Sequence, residues 1–166
     1  PLIIIGKLNN IEIIKRLYGS IEITDSVYRE VVINGIEKNS RDAHIVNEHI
    51  NNKDIKVCKI DKEFIEKAVK IEAIYGIDIG EAETIALALQ LNKKEAIIDE
   101  AAAREAAKAL GIKPIGTLRI LLTAYKNNLI NEKEIKEMIK EMENSKYRFS
   151  PSVLMEFWDL FEKIKK

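Results

Sequence analysis

Apolar positions along the chain follow two periods. Five short runs are apolar throughout or alternate with polar residues, and they read as strands: "PLIII" (1–5), "SIEIT" (20–24), "DIKVCKI" (54–60), "EAIID" (95–99) and "KPIG" (113–116). Between them the period lengthens to that of a helix. "KLNNIEIIKRLYG" places Leu8, Ile11, Ile14 and Leu17 on one side and stops at Gly19. "DSVYREVVING" follows Thr24 as N-cap and ends at Gly35. Residues 41–52 turn Ile45 and Ile50 inward, and "DKEFIEKAVKIEAIYG" does the same with Phe64, Ala68, Ile71 and Tyr75. "GEAETIALAL" continues as a helix to about Leu91, and "EAAAREAAKALG" forms the next. "TLRILLTAYKNN", "NEKEIKEMIKEMEN" and "PSVLMEFWDLFEKIKK" close the chain as three helices.

Strands alternating with helices predict an α/β fold: a central parallel sheet of about five short strands covered by helices on both faces. No repeat, low-complexity tract or Pro/Gly-rich linker divides the 166 residues, so one domain is expected. Its core spans about 1–126, and residues 127–166 form a helical extension. Phe157, Trp158 and Phe161 in that extension read as packing residues. In such a sheet, reactive groups collect beyond the carboxyl ends of the strands.

Composition narrows the class without naming a partner. A hydrophobic fraction of 46% beside a charged fraction of 33% describes a globular chain rather than a disordered one. Lys+Arg and Asp+Glu both number 27, so net charge points to no polyanionic partner, although a local basic patch is compatible with it. Cys58 is the one cysteine; it reads as a buried strand residue and fits a reducing compartment, hence a cytoplasmic location. No apolar run approaches the roughly 20 residues that span a bilayer, so no membrane association is expected. Abundant Ile, Lys and Glu with few Gly and Pro suit a thermophile.

The chemistry-bearing residues are acids. "YGIDIG" lacks the spacing and the Lys-Ser/Thr of a phosphate loop, and no serine-hydrolase signature is present. His44 and His49 are five apart on one helix, off the i,i+4 stacking that paired ligands need, and read as surface or helix-edge residues. Asp99 ends a buried strand and precedes a helix. That is either a site at the carboxyl edge of the sheet or an aspartate stabilised by the helix dipole. Glu81 and Glu83 separate on a helix of about 100° per residue. Ala82, Ile85, Ala86 and Leu89 define the inward side; Glu81 leans toward it and Glu83 lies nearly opposite. Charge in the first helical turn accounts for Glu83 well and for Glu81 poorly. Glu30, flanking the buried face of its helix, reads from spacing alone as a solvated or salt-bridged residue.

Taken together, "PLIII", "DSVYREVV", "DIGEAETIALAL", "IIDEAAAREAAKALG" and "IGTLRILLTAYK" resemble PIN-domain proteins, in particular the VapC-like branch with a "DxGEAEAIALA" segment. The likeness runs from Pro1 to about Lys126 and continues more weakly through "YRFSPSVLMEF". It implies a PIN-like sandwich and a metal-dependent ribonuclease whose carboxylates hold Mg²⁺ or Mn²⁺. By this likeness Glu30, Glu81 and Asp99 are the catalytic and metal-binding acids, with Asp78, Glu83 and Glu100 secondary candidates. Many members carry a further acid two residues after the position of Asp99; Ala101 stands there, and only Glu100 is near enough to substitute. The family's first strand also carries an aspartate just ahead of the segment matched by "PLI". The sequence begins at Pro1, so the enzymatic reading expects that aspartate upstream. Arg104 and Lys108 are the candidate contacts to RNA phosphates; for Arg104 an i,i+4 salt bridge with Glu100 is the competing role. Thr117, after Gly116, reads as a helix N-cap before it reads as a phosphate ligand.

Two function classes follow. The first is a metal-dependent endoribonuclease, the toxin of a type II toxin–antitoxin pair, with an antitoxin partner and a homodimeric state by the same likeness. The second is a catalytically inactive PIN-like module that binds RNA or a partner protein. A domain for a small phosphorylated ligand is a third possibility, which no phosphate loop supports.

Overall fold

A computed structural model describes residues 1–8, 10–145, 147 and 149–165. Asn9 in the first expected helix and Lys166 at the end of the last lie outside the described residues.

The first expected strand is a helix. Leu2–Lys7 forms α1, closed by Ile5 N–H to Pro1 O at 3.0 Å and Leu8 N–H to Ile4 O at 3.0 Å. A short apolar run buries equally well as either element, and periodicity cannot separate them. Here Ile4 and Ile5 go into the core, while Gly6 lies against Asp42 and Val46 of a later helix. The next helix, α2, therefore begins only at Ile11 and runs to Tyr18; Leu8 is buried in the turn between the two.

β1 (Ile21–Thr24) follows, and the Thr24 hydroxyl caps the next helical stretch by accepting Val27 N–H at 3.2 Å. That stretch has three parts: α3 (Asp25–Tyr28), a π-helical turn (Arg29–Ile33) and α4 (Asn34–Glu37). It passes straight through Gly35. A Cβ on Gly35 would stand 2.5 Å from the Ala43 Cβ, so the glycine lets two helices touch rather than ending one. Then come α5 (Arg41–Asn51), β2 (Ile55–Cys58), α6 (Lys62–Tyr75) and α7 (Ile79–Gln90). β3 (Glu95–Ile97), α8 (Ala101–Ala109), β4 (Lys113–Ile115) and α9 (Thr117–Lys126) complete the α/β portion. The last helices are α10 (Glu132–Asn144) and α11 (Pro151–Ile164). Cys58 ends β2 half-buried, because β2 buries Ile55 and turns Lys56 and Val57 to solvent.

The expected five-stranded sheet is not found among the described residues. Two separate parallel pairs form instead, β1 with β2 (Ile21 opposite Ile55) and β3 with β4 (Glu95 opposite Lys113). With the first run folded as α1, no strand among the described residues bridges the pairs. Residues 20–24 and 95–99 instead flank a cleft of about 540 Å³.

Two hydrophobic clusters hold the fold. The larger joins α1, α2, the π-helical turn and α5 to α9, α10 and α11, so the C-terminal helices share the main core. The smaller packs α6, α7 and α8 against β3 through small side chains, among them Ala68, Ala82, Ala86, Ala103 and Ala107. Small residues let these helices approach closely. α7 is buried on most of its circumference: Leu87 and Ala88 line the cleft while Ala82, Ile85 and Ala86 face the smaller cluster.

Candidate active site

The cleft between the two sheets is lined by six acids, Glu22, Glu30, Asp78, Glu81, Glu95 and Asp99, together with Lys93 and Lys94, and four of the acids concern the site. Glu30 comes from the start of the π-helical turn, Asp78 and Glu81 from the start of α7, and Asp99 from just beyond β3. Glu30 and Asp99 follow the carboxyl ends of β1 and β3, where the chain turns from strand to helix, whereas Asp78 and Glu81 open α7 after the helix α6.

Local structure sets each acid. Thr24 starts the helix that carries Glu30, and the π turn after Tyr28 shifts the residues that follow relative to a regular α-helix. Such turns occur often at functional sites. The Glu30 carboxylate reaches the first turn of α7, since a Cβ on Gly80 would meet its Oε2 at 3.7 Å. Glu30 and Glu81 thus line the same cleft, Glu30 against the backbone at Gly80. Asp78 is the N-cap residue of α7, and its side chain makes no capping hydrogen bond.

Asp99 is the most firmly held. Its Oδ1 accepts the Thr117 N–H at 2.7 Å, and its Oδ2 accepts the Thr117 hydroxyl at 2.6 Å and the Tyr147 hydroxyl. The Pro1 nitrogen stands 3.6 Å from the same Oδ2. Thr117 is fully buried, so it is neither an N-cap, a place taken by Gly116, nor a phosphate contact; it orients Asp99. Gly116 leaves the room this needs, because a Cβ there would lie 3.2 Å from both Asp99 Oδ1 and Arg104 Nη1. Burial, followed by the Asp99 charge, holds the Tyr147 phenol far above its ordinary range, so it remains a proton donor.

The other sequence candidates sit differently. Glu83 is half-buried and outside the cleft lining. Glu100 is the N-cap of α8, accepting Ala103 N–H at 2.7 Å, and does not line the cleft. Arg104 makes no bridge to Glu100; its Nη1 donates to the Ile98 carbonyl at 2.9 Å, which pins α8 to the end of β3. Lys108 pairs with Glu105 at 2.6 Å on the exposed face of α8. Neither cation lines the cleft. Tyr147 was not foreseen. It belongs to the connector between α10 and α11, 48 residues beyond Asp99, and no periodicity links the two.

Glu81 registers its burial in the cleft. Its carboxyl is raised above the ordinary glutamate value, first by burial, then by the charges of Glu100 and Asp78, against a backbone hydrogen bond from Asp78. The folded state therefore binds this proton more tightly than the unfolded chain does. The residue's contribution to stability is full below the unfolded pKa and is lost as pH rises through the higher folded pKa. Glu81→Gln is accordingly expected to raise the melting temperature at pH 7. The gain should vanish at about pH 3.5, below the ordinary glutamate pKa. Thermal unfolding of both chains at the two pH values checks this, and an equal gain at both would show that charge is not the cause.

The donor set is oxygen only, which suits a hard divalent cation. Among the described residues no three His, Cys, Asp or Glu side chains stand together as a complete ion-binding group. Mg²⁺ needs fewer: it commonly keeps several waters and takes one or two carboxylates from the protein. By donor chemistry the residues present fit such an ion.

Parallel strand pairs flanking a cleft lined by acids from distant segments define an α/β domain. The family DUF3368, described as a PIN domain, matches residues 1–163, and the chain belongs to it. PIN domains are commonly nucleases that use divalent metals. No curated protein and no solved structure matches the chain.

Proposed function

We propose that this protein is a metal-dependent endoribonuclease that hydrolyses RNA phosphodiester bonds in the acidic cleft. The observation that carries the proposal is that Glu30, Glu81 and Asp99, from three distant segments, line one cleft. In this reading Glu81 and Asp99 hold a Mg²⁺ or Mn²⁺ ion and Glu30 completes the set from the facing helix. A bound divalent cation supplies an activated water and neutralises charge developing on the phosphate. The chain's own part is to hold the acids in place. Thr117 fixes the Asp99 carboxylate, and Arg104 fixes the end of β3 from which Asp99 projects. By the likeness to the VapC-like branch, the nuclease reading expects an aspartate ahead of Pro1. A residue joined there would enter beside Asp99, given the position of the Pro1 nitrogen. The same likeness extends the proposal to a toxin role, an antitoxin partner, a homodimer and a cytoplasmic setting. Among the described residues no helix is long and apolar enough to cross a membrane.

One observation favours the alternative of a catalytically inactive binding module: Thr117 and Tyr147 already take up most of the Asp99 acceptor capacity. The two readings separate in one assay. The full chain is incubated with single-stranded RNAs of varied sequence, with Mn²⁺ and then with excess chelator. Cleavage that the chelator abolishes supports the nuclease; metal-independent RNA binding without cleavage supports the module.

A further inference from the structure

We propose that Tyr147 is a positioning residue for Asp99, fixing the carboxylate so that its remaining acceptor site is presented to the cleft. The inference rests on the reading of the cleft as a metal-dependent site and assigns part of that site to the connector between α10 and α11.

An ionised carboxylate has about four acceptor sites on its two oxygens. Three protein hydrogen-bond donors meet Asp99, the backbone N–H and hydroxyl of Thr117 and the hydroxyl of Tyr147, and the Pro1 nitrogen stands 3.6 Å from Oδ2. Thr117 approaches from α9, on the side of β4; Tyr147 approaches from a segment 48 residues away in sequence. Two donors on one residue leave the carboxylate free to tilt about the line that joins them. A third donor from another part of the chain removes that freedom, and the side chain keeps 21% of its surface exposed. Because the phenol is neutral, it holds the carboxylate without cancelling the charge that a cation requires. A lysine in the same place would hold the group and neutralise it.

The connector is built to deliver that hydroxyl. The Tyr147 backbone N–H donates to the Met142 carbonyl at 3.1 Å, which ties the residue to the end of α10. Its ring packs on Phe149 with centroids 5.1 Å apart. Beyond it, α11 sinks Phe157 and Phe161 into the main core. A donor anchored on both sides orients its acceptor; a plug competing with an ion would need to leave. Partners of this kind, which orient a metal-binding side chain without touching the ion, typically change metal affinity or activity by about 10–100-fold when removed.

The test is Tyr147→Phe in the full chain, which deletes one oxygen and keeps the ring. Free Mn²⁺ is followed by electron paramagnetic resonance during titration, alongside steady-state RNA cleavage and thermal melting. The expected result is an Mn²⁺ dissociation constant about 10–100-fold larger at unchanged stoichiometry, with kcat lowered and KM for RNA unchanged. A merely structural role would instead lower the number of binding-competent molecules and leave their dissociation constant unaltered, which would overturn the proposal. So would an unchanged or tighter Mn²⁺ affinity, the latter marking the hydroxyl as a competitor of the ion. If the unsubstituted chain neither binds Mn²⁺ nor cleaves RNA, the metal-site reading itself falls, and this one with it. If the unsubstituted chain does both and Tyr147→Phe matches it, only the role of Tyr147 is lost.

Discussion

Asp99→Asn is expected to lower RNA cleavage by roughly 100-fold or more, since it alters a proposed ligand itself rather than the outer partners that cost about 10–100-fold. The substitution removes the charge and also misplaces a donor. Oδ1 faces the Thr117 N–H, and Oδ2 faces the Thr117 and Tyr147 hydroxyls. Whichever way the new amide turns, its NH₂ meets a group that now donates. Turned toward Oδ1 it opposes a backbone N–H that cannot rotate; turned toward Oδ2 it forces two hydroxyls to reorient or lose their acceptor. A stability loss of about 1–3 kcal/mol, the cost of an unsatisfied buried group, should therefore accompany the catalytic one. Urea unfolding separates the two effects, because cleavage can be assayed where both chains remain folded. Full activity in the folded Asp99→Asn chain would remove Asp99 from the site.

Phe161→Ala is expected to cost about 3–5 kcal/mol of stability, a large part of the 5–15 kcal/mol typical of a whole domain. Phe161 is fully buried and central to an aromatic group, with its centroid 4.8 Å from Tyr125 and 5.6 Å from Trp158. Deleting its ring leaves a cavity between α9 and α11 that these stiff neighbours cannot fill by small shifts. The effect should reach the cleft, since α11 anchors one side of the connector that bears Tyr147. Chemical denaturation gives the magnitude; a loss below about 1 kcal/mol would mean that the last helix is an appendage rather than part of the core.

What the sequence disclosed, and what it hid, divides by the range of the interaction. Local signals were legible. Thr24 as a cap, the alternation that marks β1 and β2, and the helical arithmetic that separates Glu81 from Glu83 all depend on residues within a turn or two. Glu81 does line the cleft while Glu83 does not, although Glu83 is half-buried rather than free in solvent, because α7 is enclosed on most sides. Tertiary choices were hidden. "PLIII" buries equally well as strand or helix, and its packing against α5 through Gly6 decides the matter. Gly35 looked like a helix end and is instead a contact with Ala43. Arg104 suggested a partner four residues away and bonds a strand carbonyl six residues back. Glu30 was placed by likeness to a family, since its approach to Gly80 spans 50 residues of chain. Tyr147 had one faint signal, the weaker stretch of that likeness around "YRFSPSVLMEF", which gave no hint of the carboxylate it meets.

In the proposed function the acids of this cleft act together with a divalent cation on RNA. The most direct measurement compares the full chain with Asp99→Asn and Glu81→Gln on single-stranded RNA, with Mg²⁺ or Mn²⁺ and again after chelation. Cleavage is expected from the unsubstituted chain alone, abolished by chelator and restored by added metal. Equal cleavage by all three chains, or cleavage that survives the chelator, would contradict it.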